Sequence, residues 1–125
     1  MRAGDTFVFY DGSDNHLWVV ISDPELDVAA FVVIVNLTTY KVGKDSACIL
    51  NPEDHPFIKH ETCVQYADAR AVSNVILDRL ADTVTIVLQG PVTPEVLDRI
   101  RRGAAESRFI PEGCRKVLVE QGLIE

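Results

Sequence analysis

Residues 29–37, AAFVVIVNL, are apolar at nearly every position and rich in β-branched side chains. A strand with one wet face would alternate apolar and polar residues. A continuous run this short is instead the pattern of a strand covered on both faces. Whatever this chain folds into must therefore place packed layers above and below that strand. The longest wholly apolar stretch, 28–35, is too short and too β-branched for a membrane-spanning helix, which needs about 18 apolar residues or more, so no membrane association is expected. With 125 residues and 13.9 kDa, one compact domain over 1–125 is expected, because two cores of half this size would each be marginal.

The segment MRAGDTFVFY has no apolar h-region followed by a small-residue cleavage site, which makes the cytoplasm the expected compartment. Three cysteines, Cys48, Cys63 and Cys114, cannot all pair within one chain, and reduced thiols are expected. The net charge of −7 and a pI near 4.9 argue against a large nonspecific nucleic-acid footprint. The charge is unevenly spread, however. Residues 1–40 hold Arg2 alone against Asp5, Asp11, Asp14, Asp23, Glu25 and Asp27, and the other eleven of the twelve Lys and Arg follow. A polyanion site would have to draw on that later set.

The first half reads as short strands joined by short loops. DTFVFY (5–10) and HLWVVIS (16–22) flank the turn-forming DGSDN, and SDPELD supplies the turn before the apolar 29–37 run. A brief strand near 48–50 and a longer one at 61–66 are separated by the Pro-bearing NPEDHPFIKH. This succession favours a small closed β-barrel over an open sheet. The second half changes period. Residues 71–80 carry Val72, Val75, Ile76 and Leu80 at helical spacing, with Ser73 as a candidate cap. VTIVLQ (84–89) reads as a strand. Thr93-Pro94-Glu95 then gives a cap, an N1 proline and an acidic first turn ahead of the stripe Val96, Leu97, Ile100 and Ala104. A last helix is expected over 111–121. The fold class is thus mainly β with α: a barrel followed by a C-terminal strand and helices.

Connections in an antiparallel meander alternate between the ends of the sheet. The loop before His16 and the loop after Leu37 therefore share one end, with the 23–28 turn roughly 20 Å away. His16, Thr38, Thr39, Tyr40 and Lys41 should be neighbours, and the segment 45–60 brings His55, Lys59 and His60 towards the same mouth. Such a group suits phosphodiester cleavage in RNA. A base takes the 2′-OH proton, an acid protonates the departing 5′ oxygen, and cations or hydroxyls stabilise the phosphorane; histidine can serve in both proton roles. Plainer readings stand beside this one. His16 could be a strand-end residue capped by Asp14, Asp54-His55-Pro56 a turn, and Thr38 and Thr39 ordinary β residues.

Cys48, His55, His60 and Cys63 have the spacing C-x6-H-x4-H-x2-C, which admits a zinc site. Neither pair forms the usual tight knuckle, and both cysteines lie in apolar β patterns where a thiol is a small core residue; no metal or other cofactor is expected. On the 94–106 helix, Glu95–Arg99 and Asp98–Arg102 read as i, i+4 pairs on a solvated face, leaving Arg101 and Arg108 as the freer charges.

The order GDTFVF (4–9), a polar loop, HLWVVIS (16–22), FVVIVNLTT (31–39) and ETCVQYADA (61–69) ahead of a helical segment resembles the PemK/MazF-like toxins of bacterial toxin–antitoxin systems. The resemblance covers about residues 3–82, and 83–125 form an extension beyond it. It implies an SH3-like barrel that dimerises, cuts single-stranded RNA without a metal and is neutralised by a cognate antitoxin. Gly4 and Asp5 match the family's opening pair, and Thr38-Thr39 match the Thr-Ser that closes its third strand. His16-Leu17 stands where the family has Arg-Pro. The resemblance implies an endoribonuclease with His16, Thr38 and Thr39 in catalytic positions. The insertion EDHPFIKH has no counterpart in its simplest members, and the convergence at one mouth adds His60 as a catalytic group and Lys41, His55 and Lys59 on the substrate. A barrel that binds protein or nucleic acid without cleaving, or a zinc-stabilised domain, are the alternatives.

Overall fold

The computed structural model describes residues 1–12 and 16–125. Its strands are β1 (Thr6–Phe9), β2 (Trp18–Val20), β3 (Phe31–Thr39), β4 (Ile49–Leu50), β5 (Thr62–Ser73) and β6 (Ile86–Leu88); its helices are α1 (Asn74–Asp82), α2 (Pro94–Glu106) and α3 (Glu112–Glu120). The strands form one antiparallel sheet in the order β4-β5-β3-β2-β1-β6, and with the three helices they make a mixed β and α fold of the barrel type the sequence predicts. No helix among the described residues is long and apolar enough to cross a membrane.

The apolar run at 29–37 lies largely in β3, which is covered on both sides. Val33, Val35 and Leu37 join Leu17, Val19 and Ile21 of the neighbouring strand in a core closed by Val96, Ile100 and Ala104 of α2 and Cys114 and Leu118 of α3. The alternate residues Val32 and Ile34 join Phe7, Trp18 and Val20 in a second core beneath Leu77 of α1. Period-two alternation sends successive side chains to opposite faces, so an unbroken apolar sequence is what two cores demand. Because α2 and α3 close the larger core, the C-terminal elements are integral to the barrel.

The end of one strand and the start of the next helix differ most from the sequence reading. The strand expected at 61–66 runs on to Ser73, since Ala71, Val72 and Ser73 pair with Val33, Val32 and Phe31. Cross-strand pairing there overrides the helical spacing of Val72. Helix α1 consequently starts at Asn74, and Ser73 is its cap, accepting the Ile76 amide at 3.3 Å. Helix α2 starts as its sequence dictates: Thr93 accepts the Val96 amide at 3.2 Å and Pro94 occupies the first turn. Such a cap contributes about 1 kcal/mol.

The hydrogen-bonded ladder ends at β4 on one side and β6 on the other. Side chains close the seam between them. His55, five residues beyond β4, reaches the carbonyl of Gly90, two residues beyond β6, and Thr6 Oγ1 donates to that same carbonyl. Arg99 of α2 fastens the segment after β4 from the helical side, donating to Asp54 Oδ1 and to the Ile49 carbonyl, each at 2.9 Å.

Candidate active site

A groove of about 450 Å³ opens where β2 begins and β3 ends. Its polar wall carries His16, Thr38, Thr39, Lys59, His60 and Thr62, and its apolar wall carries Leu17, Leu37, Phe57 and Ile58. His16, Thr38, Thr39, Lys59 and His60, expected at one mouth from the order of the strands, come together here.

His16 is half-buried, and its Nδ1 lies 2.9 Å from the Leu37 carbonyl. A carbonyl oxygen only accepts, so Nδ1 carries the proton and the neutral ring has its lone pair on Nε2. Asp14, its suggested cap, lies outside the described residues. His60 is exposed, with Nε2 2.7 Å from Thr39 Oγ1; the Thr62 hydroxyl donates to the His60 carbonyl at 2.9 Å, which fixes the backbone that aims the ring. Lys59 turns its Nζ to the Pro56 carbonyl at 2.8 Å. That hydrogen bond is solvent-exposed, so exchanging it for a phosphate oxygen costs little.

His55 is not on the substrate surface. It is 3% exposed. Its Nδ1 accepts the Phe57 amide at 3.0 Å while its Nε2–H donates to Gly90 O at 3.0 Å. With both nitrogens engaged in the fold, it cannot also hold RNA. Lys41, exposed in the turn after β3, does not line the groove. The zinc alternative loses its ligands in the same way, since His55 is occupied and His60 faces Thr39. Among the described residues no three His, Cys, Asp or Glu groups stand together where a metal could be held. Cys48, Cys63 and Cys114 are buried free thiols. Burial raises the pKa of all three and pushes Cys48 up to about 11, against the opposing pull of the Arg99 charge.

The helix charges also fall differently from their i, i+4 spacing. Arg102 does pair with Asp98, but Arg99 pairs with Asp54 instead of Glu95, and hydrogen bonding to that carboxylate raises its pKa further. Arg101 is not a freer charge. Its Nε donates to the Ile21 carbonyl at 2.8 Å, and desolvation lowers its pKa.

Sequence reasoning missed the apolar wall. Phe57 and Ile58 lie in the Pro-bearing segment between β4 and β5, where no periodicity marks them. The signal available was an aromatic residue two positions before a Lys-His pair.

No family model and no curated protein sequence matches the chain. Among solved structures it is similar to a chain described as an endoribonuclease in complex with its cognate antitoxin, from a mycobacterial species. That match has a TM-score of 0.57 and 18% identity, and covers 89% of this chain and 97% of the other. Nearly the whole of both chains takes part, so the two proteins share a fold.

Proposed function

We propose that this protein is the ribonuclease toxin of a PemK/MazF-like toxin–antitoxin pair and cuts single-stranded RNA without a metal ion. The observation that carries the reading is the convergence of His16, Thr38, the Thr39–His60 pair and Lys59 in one groove, on a fold shared with an endoribonuclease. In this reading His16 Nε2 takes the proton from the 2′-OH. The freed oxygen attacks phosphorus to form a 2′,3′-cyclic phosphate, the P–O5′ bond breaks, and the imidazolium of His60 delivers a proton to the leaving oxygen. The Thr38 and Thr39 hydroxyls and the Lys59 ammonium stabilise charge on the non-bridging oxygens.

Incubating short single-stranded RNA with the purified protein in EDTA tests this. A 2′,3′-cyclic phosphate and a 5′-hydroxyl are the products expected, and intact RNA at every pH from about 5 to 9 would defeat the proposal. The same reading makes the protein a cytoplasmic homodimer held inactive by an antitoxin. Light scattering at micromolar concentration and co-expression with the neighbouring reading frame test those two parts. One observation favours a binding module instead: among the described residues that line the groove there is no arginine, and so no permanently charged fork for the phosphorane. Tight RNA binding without cleavage is what that reading requires.

A further inference from the structure

We infer that Phe57 is a stacking platform for a nucleobase next to the scissile phosphate, so that the groove holds RNA by a base on one wall and a phosphate on the other. The inference rests on the ribonuclease reading and goes beyond it by giving the apolar wall a ligand. The groove has two chemistries: His16, Thr38, Thr39, Lys59 and His60 are suited to an anion, while Leu17, Leu37, Phe57 and Ile58 are not. Leu17, Leu37 and Ile58 are 1–4% exposed and form only a floor, whereas Phe57 is 38% exposed. Tyr10, Phe31 and Phe109 are more exposed still, so what sets Phe57 apart is its place on the wall of the groove that holds the histidines, where a flat apolar group can reach it.

The segment around Phe57 is also held in place. The Phe57 amide donates to His55 Nδ1, His55 is anchored to Gly90, and Asp54 is held by Arg99. A ring carried on a pinned backbone loses little entropy when a base stacks on it. Chain reach sets the scale: Phe57 and His60 are three positions apart in the chain, a span of about 10 Å at most, which is the reach of a nucleotide and not of a long tract. The groove asks for an occupant that sets an anion against the histidines and lysine and a flat apolar face against Phe57, and a nucleotide of RNA carries both. Because every base has a π-face, Phe57 would contribute affinity and register with little sequence preference.

The test uses short single-stranded oligonucleotides with 2′-fluoro sugars, which cannot form a cyclic phosphate and stay uncut, and an abasic strand of equal length with the same 2′-fluoro sugars. Fluorescence anisotropy with the full chain should show Phe57→Leu, which keeps an apolar wall but lacks a π-face, binding the base-bearing strand about 5- to 100-fold more weakly, the range found when one stacked base is lost. Phe57→Trp should bind within a few-fold of the parent. The abasic strand should bind the parent and Phe57→Leu alike. If Phe57→Leu binds the base-bearing strand as tightly as the parent, or loses affinity equally for the abasic strand, the stacking role is wrong while cleavage of ordinary RNA by the parent keeps the nuclease reading alive. If the parent neither binds nor cuts RNA, both fail together.

Discussion

His55 donates its Nε2 proton to the carbonyl of Gly90 at 3.0 Å, and this bond joins the segments that follow the two edge strands. The ring therefore acts at a distance on the groove, because its other nitrogen holds the amide of Phe57.

Replacing His55 with Ala should lower stability by about 2–3 kcal/mol. A buried side chain is lost, and the Phe57 amide is left without its partner. Urea unfolding of the parent and the variant measures the difference. Equal midpoints would mean that the seam holds without the imidazole.

His16→Ala should reduce RNA cleavage on the order of 100-fold or more, and His60→Ala somewhat less, with Lys59 sharing the charge. The double substitution should cost less than the product of the single effects, because both residues act on one transition state. One histidine must be neutral and the other protonated, so the rate should be bell-shaped in pH, and His16→Ala should remove the acidic limb. Single-turnover rates across pH decide this; cleavage at the parent rate by His16→Ala would remove that residue from the chemistry.

The thiol of Cys48 has a pKa near 11 in the folded protein against 9.0 for an ordinary cysteine. Below pH 9 both folded and unfolded states keep the proton and stability is indifferent to pH from this source. Between about 9 and 11 the unfolded thiol ionises while the folded one does not, so the unfolded state binds fewer protons and stability falls as pH rises. Urea midpoints should decline across that window, less steeply in Cys48→Ala. Cys63, Cys114 and Tyr66 are shifted in the same direction by burial. Iodoacetamide should accordingly modify the native thiols far more slowly than the denatured ones.

Gly103 of α2 packs against the Tyr66 hydroxyl, and a Cβ there would sit 2.8 Å from Cys48 Cβ. Helix propensity alone predicts that Gly103→Ala gains about 1 kcal/mol. Overpacking costs about 1–3 kcal/mol or more where the neighbours cannot retreat, and Tyr66 is held by a 2.6 Å hydrogen bond to the Ile100 carbonyl. A lowered melting temperature is the expected outcome, and a raised one would show that the interface yields.

Val84 has φ +58° although it is β-branched and exposed. A residue of that type is strained there by about 1–3 kcal/mol, whereas Asn adopts the conformation readily. Val84→Asn should raise the melting temperature without touching the groove, and cleavage should be unchanged.

Sequence patterning located much of this because topology converts order into place. Once short strands are joined by short turns, His16 and Thr38 must lie at one end of the sheet, and Lys59 and His60 enter the same mouth from the next connection. The cap at Thr93 was equally local. What sequence could not reveal depended on partners far along the chain. His55 is buried because Gly90, thirty-five residues away, presents a carbonyl to it. Arg99 leaves Glu95 for Asp54 because a loop from β4 arrives beside it. Strand β5 outlasts its own pattern because β3 offers it partners as far as Phe31.

The short outer strands bear on how the protein behaves when it accumulates. An uncovered sheet edge is a template on which further chains can pair and grow into aggregates. Here the two edges are two and three residues long, the end of their seam is stapled by an imidazole, and each molecule carries a net −7 that repels its neighbours. Overproduced chains should therefore remain dispersed particles instead of polymerising edge to edge.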